Sequence, residues 1–101
     1  MSELETAAPG DPNGIDPRVF PATSRRGREC GVLKLGGIRA TELVERFGSP
    51  LYVIDEEVAR ERARATREAL QGEFAKIGAE VAVYYAGKAF LCVEVARWMA
   101  E

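Results

Sequence analysis

Residues 81–86 form an unbroken apolar run, VAVYYA, which is followed by Gly87 and Lys88. A run that is rich in β-branched and aromatic residues and has no polar alternation is typical of a strand buried on both faces. Such strands occur mainly in parallel sheets covered by helices, and α/β folds carry their chemistry where these strands end. The sequence therefore predicts an α/β fold in which Lys88 stands at the end of a buried strand.

The composition excludes several classes of function. A chain of 101 residues suffices for one small domain, and its net charge of −2 gives no electrostatic reason to expect nucleic acid or an anionic membrane as a partner. No apolar run approaches the ~20 residues of a membrane-spanning helix, and the first residues lack the basic region of a signal peptide. Cys30 and Cys92 match no metal-ligand spacing and are predicted to be reduced thiols, so a cytoplasmic location is favoured. Histidine is absent, and no metal site is predicted.

Three parts are predicted along the chain. Residues 1–31 are rich in proline and glycine and are interpreted as a mobile N-terminal extension. Four arginines lie between residues 18 and 28. They either contact a phosphate or an acid or belong to a solvated loop, and solvation is the usual outcome for a charge run. Residues 32–54 form a β and short-helix segment, and residues 55–101 begin an α/β repeat.

In the second part, residues 32–38, VLKLGGI, predict a strand that Gly-Gly breaks into a hairpin or a sharp bend. Thr41 is predicted to cap a short helix that ends at Phe47, with Gly48 in the left-handed conformation after the last turn. Residues 51–54, LYVI, predict a second buried strand.

In the third part, Asp55 is predicted to be the N-cap of a helix that runs to about Gln71, and another helix is predicted from about Phe90. The first of these helices should carry i,i+4 ion pairs, Glu56–Arg60 and Arg64–Glu68. The last helix has no stop signal, which predicts that the chain continues in a longer protein. Taken alone, the chain is expected to expose four large side chains: Tyr84, Tyr85, Trp98 and Met99.

Lys88 has two interpretations from its position alone. Strand alternation places it on the same face as Tyr84 and Ala86, and at the mouth of a closed barrel burial would favour the neutral amine. A neutral amine is nucleophilic and forms a Schiff base with a carbonyl compound or with pyridoxal phosphate. The alternative is a surface lysine that reaches into water at a strand end. A phosphate-binding loop is excluded, because Ala82 and Ala89 occupy the positions where that motif needs a glycine and a hydroxyl residue.

Three segments resemble a known family. Residues 85–90, YAGKAF, look like the Tyr-Ala-x-Lys-Ala segment of fold-type III pyridoxal-phosphate decarboxylases. The longer stretch 83–92, VYYAGKAFLC, is similar in particular to bacterial diaminopimelate decarboxylases. Residues 47–55, FGSPLYVID, and 32–37, VLKLGG, resemble two further segments of that family, and the resemblance covers residues 32–101 in the family's order. Phe90 departs from it, since many members have asparagine there.

The resemblance implies the N-terminal fragment of a (β/α)8 TIM-like barrel, preceded by a short β segment that belongs to a separate β domain. It implies that Lys88 is both the catalytic and the cofactor-binding residue, with pyridoxal 5′-phosphate as cofactor and the other site residues downstream of Glu101. The implied reaction converts meso-diaminopimelate into L-lysine and carbon dioxide in a full-length homodimer that acts on a small amino-acid substrate, the fragment itself being inactive. Alternatives are another decarboxylase or a racemase of this fold, or a non-catalytic homologue that binds the cofactor or acts as a regulator.

Overall fold

A computed structural model describes residues 14–27 and 31–101 of the chain. These residues form one antiparallel sheet of three short strands in the order β1-β2-β3, together with three helices. The elements are β1 (Arg25–Arg26), β2 (Leu33–Leu35), β3 (Ile38–Arg39), α1 (Ala40–Phe47), α2 (Glu56–Ala75) and α3 (Val93–Ala100). The chain divides after Asp55 into two compact units. The predicted α/β class is thus confirmed for a small piece, whereas these elements do not establish a barrel.

The hairpin of the first unit forms at the predicted Gly-Gly turn. Gly36 and Gly37 have φ angles of 57° and 85°, which glycine adopts without the steric cost that a Cβ would bring. The turn places Leu35 opposite Ile38 and Lys34 opposite Arg39. Local turn chemistry is therefore enough to set the register of these two strands.

The third strand of this sheet, β1, was not predicted. Arg25 pairs with Lys34 and Arg26 with Leu33, so part of the arginine-rich segment, for which a solvated loop is the usual outcome, forms one edge of the sheet. Both arginines are exposed, and their guanidinium groups donate hydrogen bonds to backbone carbonyls: Arg25 to Ser24 at 2.8 Å and Arg26 to Gly31 at 2.9 Å.

Helix α1 ends as predicted but begins differently. Gly48 has a φ of 84°, and its N–H donates to the Val44 carbonyl at 2.8 Å, which closes the last turn. The prediction that Thr41 caps the helix is wrong, because the helix continues directly from β3 with Arg39 at the N-cap and no side-chain cap. Thr41 consequently lies inside the first turn.

Two predicted strands are not observed. Residues 51–54 and 81–86 belong to no β ladder, and the second run is not buried by the described residues, since Tyr84 is 88% exposed. The reason is physical, because a strand needs a partner for its N–H and C=O groups and no described residue pairs with either run.

The second unit consists of helices α2 and α3. Helix α2 begins directly after Asp55, as predicted, and extends to Ala75 instead of Gln71, while α3 begins at Val93 instead of Phe90. The two helices contact each other, and Val95 of α3 is the one buried apolar residue among those described.

Ion pairs and exposure in this unit confirm some predictions and correct others. The Glu56–Arg60 pair is present at 2.9 Å, whereas Arg64 pairs with Glu61 rather than Glu68. Tyr84 and Tyr85 are exposed, as expected. Trp98 and Met99 are half-buried, so the expectation that they too would be exposed is wrong.

The predicted N-terminal extension is described only in part. Residues 1–13 and 28–30, including Cys30, lie outside the described residues. Within 14–27, the N–H groups of Val19 and Phe20 donate to the Asp16 carbonyl at 3.0 Å, and an ion pair joins Asp16 to Arg18 at 2.8 Å. This part of the extension therefore contains a hydrogen-bonded turn as well as β1.

Candidate active site

Lys88 lies in a bend between the apolar run and α3. Its side chain is exposed, and it makes no hydrogen bond or ion pair with any described residue. A lysine amine without a partner is available to a carbonyl group, since its nitrogen is not already committed to a carboxylate. The sequence predicted this position at the end of the run, although the run is not part of a sheet here.

A hydrogen bond closes the chain around Lys88. The hydroxyl of Tyr85 donates to the backbone carbonyl of Phe90, with 2.5 Å between the two oxygens. The bond joins residues five apart, so the intervening backbone forms a closed bend. Residues 85–91 are called the lysine loop below.

Gly87 fixes the other feature of the lysine loop. Its φ is 67°, in the left-handed region that side chains disfavour. A Cβ at this position would lie 3.2 Å from Cδ2 of Leu91, closer than ordinary van der Waals contact. The residue immediately before Lys88 is thus a glycine, at the point where the backbone turns and where the Leu91 side chain lies close to it.

Pyridoxal phosphate attaches to proteins through a lysine amine. Lys88 fits that requirement, because its amine is exposed, has no described partner, and follows the small residues Ala86 and Gly87. The burial expected from the sequence is not found, since Phe90 and Leu91 beside it are also exposed. The described residues therefore provide an attachment point but not an enclosed site.

Sequence reasoning missed the role of Tyr85 in this loop. Strand alternation placed Tyr85 on the face opposite Lys88, where it was interpreted only as an apolar strand residue. The signal that could have revealed it is the glycine two residues on, because a bend at Gly87 returns the chain towards the tyrosine.

Charged contacts elsewhere in this unit fix the end of α3. The side chain of Arg60 in α2 forms ion pairs with Glu101, next to the last residue of α3, and with Glu56. Hydrogen bonds from Arg60 to these two carboxylates raise the pKa of Arg60 above its ordinary value, and the bond to Glu101 has the larger effect. These contacts are structural, since the Glu56 pair lies within α2 and the Glu101 pair links α2 to the end of α3.

Two negative findings apply to residues 14–27 and 31–101. No group of three or more side chains of the types His, Cys, Asp and Glu is placed to hold a metal ion. No helix in the same residues combines the length and the apolar character needed to cross a membrane.

Curated proteins that match this chain belong to one class of enzyme. No family model matches the chain. Curated relatives that match include a protein of Mycobacterium tuberculosis (strain ATCC 25618 / H37Rv), 45% identical over 87 residues, which cover 86% of this chain and 18% of the relative. A protein of Actinosynnema pretiosum subsp. auranticum is 46% identical over 92 residues, 91% of this chain and 18% of that one. A third, of Bacillus subtilis (strain 168), is 39% identical over 83 residues, 82% of this chain and 18% of its own length.

These relatives are carboxy-lyases, enzymes that remove a carboxyl group from their substrate as carbon dioxide. Each of the three is named diaminopimelate decarboxylase. The chain matches a fragment of the diaminopimelate decarboxylase family, as its sequence motifs predicted. It spans about a fifth of the length of the curated relatives, 18% in each of these three.

Proposed function

We propose that this chain is part of a longer protein, called the full-length protein below, which decarboxylates meso-diaminopimelate to L-lysine and carbon dioxide. The relatives' names support this reaction, and the identities of 39% to 46% extend across most of the chain. The observation on which the proposal rests in this chain is Lys88, whose exposed amine has no described partner and stands in a loop closed by a hydrogen bond.

Lys88 would hold pyridoxal 5′-phosphate covalently through its Nζ atom. When bound, this cofactor supplies an electron sink for the charge that remains on carbon after carbon dioxide leaves. The Nζ of Lys88 would also be placed to carry a proton to the reacting carbon. The small side chains before Lys88 leave space beside the amine for a flat ring.

The finer architecture is part of the same proposal. Residues 81–86 would form the first strand of a (β/α)8 barrel once neighbouring strands supply its ladder, and residues 32–54 would belong to a separate β domain. The groups that bind the cofactor's phosphate and ring would come from other parts of the full-length protein. We further propose a cytoplasmic homodimer that acts on this small amino-acid substrate.

Replacement of Lys88 tests the function directly. In the full-length protein, Lys88→Ala should abolish both the visible absorbance of the bound cofactor and the release of carbon dioxide from meso-diaminopimelate. The matched control is Lys76→Ala, because Lys76 is an exposed lysine of the same unit whose ion pair with Glu73, at 2.7 Å, lies on the surface. The control should keep wild-type absorbance and turnover.

Two results would contradict the proposal. Unchanged absorbance and turnover in Lys88→Ala would show that Lys88 is not part of the site. A wild-type protein that releases carbon dioxide faster from ornithine or arginine than from meso-diaminopimelate, or that inverts an amino acid without releasing it, would assign a different reaction to the same lysine.

A further inference from the structure

One hydrogen bond closes the lysine loop, from Tyr85 to Phe90. The Tyr85 hydroxyl donates to the Phe90 carbonyl, and no other described residue donates to that carbonyl. Tyr85 is 47% exposed, and its hydroxyl reaches the backbone five residues further on.

Little else fixes the backbone on either side of Lys88. No backbone-to-backbone hydrogen bond among the described residues involves residues 81–91, and regular structure resumes only where α3 begins at Val93. Among the described residues, the direction in which Lys88 leaves the backbone is therefore set by the bend at Gly87 and by the Tyr85 hydrogen bond.

We propose that Tyr85 is a positioning residue for Lys88, a role that rests on the function proposed above. A lysine side chain has four rotatable bonds, and the region that its amine samples depends on the direction of its Cα–Cβ bond. A closed loop holds that direction constant, so the amine spends more of its time within reach of the atom with which it reacts. Without the hydrogen bond the loop opens, and the reactive arrangement becomes rarer.

Tyr85→Phe in the full-length protein tests this role, because phenylalanine keeps the ring and removes only the donor. We expect kcat for decarboxylation to fall about three- to tenfold, the change that corresponds to losing one ordinary hydrogen bond. The KM for meso-diaminopimelate should stay within about twofold of wild type, since the Tyr85 hydroxyl is used by the backbone and not by the substrate. A purely structural role would instead lower the amount of folded protein and leave kcat per folded molecule unchanged.

Tyr52→Phe is the matched control, because it removes the same hydroxyl from a side chain that is 98% exposed. The Tyr52 hydroxyl makes no hydrogen bond with a described residue, so the variant should keep wild-type kcat and KM. Equal values of kcat in Tyr85→Phe, Tyr52→Phe and wild type would overturn the positioning role.

A second measurement separates this inference from the proposed reaction. Protein freed of cofactor is mixed with pyridoxal 5′-phosphate, and the growth of visible absorbance gives the rate at which Lys88 takes it up. Slower uptake in Tyr85→Phe than in Tyr52→Phe supports the positioning role even if meso-diaminopimelate is not the substrate, and equal uptake rates refute it. The proposed reaction fails separately, when wild-type protein takes up the cofactor through Lys88 but releases no carbon dioxide from meso-diaminopimelate.

Discussion

Replacing Gly87 by alanine perturbs the lysine loop at the residue next to Lys88. At a φ of 67° an L-residue costs roughly 1–2 kcal/mol relative to glycine, while the stiffer unfolded chain of the variant offsets about 0.4–1 kcal/mol of that cost. The net loss of stability should be about 1 kcal/mol. The new Cβ would also lie 3.2 Å from Cδ2 of Leu91, so Leu91 or the loop must move by a few tenths of an ångström.

Gly78→Ala provides the matched control. Gly78 has nearly the same φ, 71°, but a Cβ there would have no atom within 4 Å. The backbone penalty should therefore be the same, about 1 kcal/mol, without any displacement of a neighbouring side chain. The difference in the free energy of unfolding between the two variants therefore measures the contact with Leu91 separately from the conformational cost.

The assay combines urea unfolding of the full-length protein with steady-state decarboxylation of meso-diaminopimelate. Gly78→Ala should lose about 1 kcal/mol in the free energy of unfolding and Gly87→Ala should lose at least as much, and only Gly87→Ala should lower kcat, because only that substitution displaces the loop that carries Lys88. The reasoning is refuted if Gly78→Ala lowers kcat as much as Gly87→Ala does, or if Gly87→Ala keeps the wild-type kcat.

Two further predictions concern parts of the chain away from Lys88. Hydrogen bonds from the side chain and the backbone of Arg18 lower the pKa of Asp16 from 3.8 to about 2, so the carboxylate stabilises its turn above pH 3.8 and this contribution is lost as the pH falls through about 2. Arg18→Gln removes the guanidinium and keeps the backbone N–H, so carboxyl-carbon NMR should show the pKa of Asp16 raised part of the way towards 3.8, and a value that stays near 2 would contradict the assignment to the Arg18 side chain. Val95→Ala should destabilise the protein by about 2 kcal/mol in urea unfolding, because Val95 is only 5% exposed. Val93→Ala in the same helix, at a position 74% exposed, should change stability by less than about 0.5 kcal/mol, and equal losses would show that Val95 is not a core residue.

The elements predicted correctly from sequence are those whose signals are local. The Gly36-Gly37 hairpin needs only two residues that accept positive φ, and α2 needs only a run of helix formers with acids in the first turn. Both kinds of signal act within a few residues of chain. They therefore operate in the same way whatever the rest of the protein does.

The elements predicted incorrectly depend on partners. Residues 51–54 and 81–86 have the composition of buried strands, but a ladder forms only where a second strand is present, and composition does not supply one. Strand β1 shows the converse, because Arg25 and Arg26 have no strand signal and still pair with β2. The Tyr85 hydrogen bond was missed for a related reason, since it depends on a bend that strand alternation does not anticipate.

The exposure of Lys88 connects the fold to the proposed chemistry. A lysine amine acts as a nucleophile in its neutral form, and removal of water is what favours that form. The described residues give Lys88 a direction, through the Tyr85 hydrogen bond and the bend at Gly87, but they leave it in water. In the proposed barrel, strands that pair with residues 81–86 would also enclose the end of that run, where Lys88 lies. The strands that complete the sheet would then also bury the amine. We therefore expect the chain to need the remainder of the full-length protein before Lys88 becomes reactive.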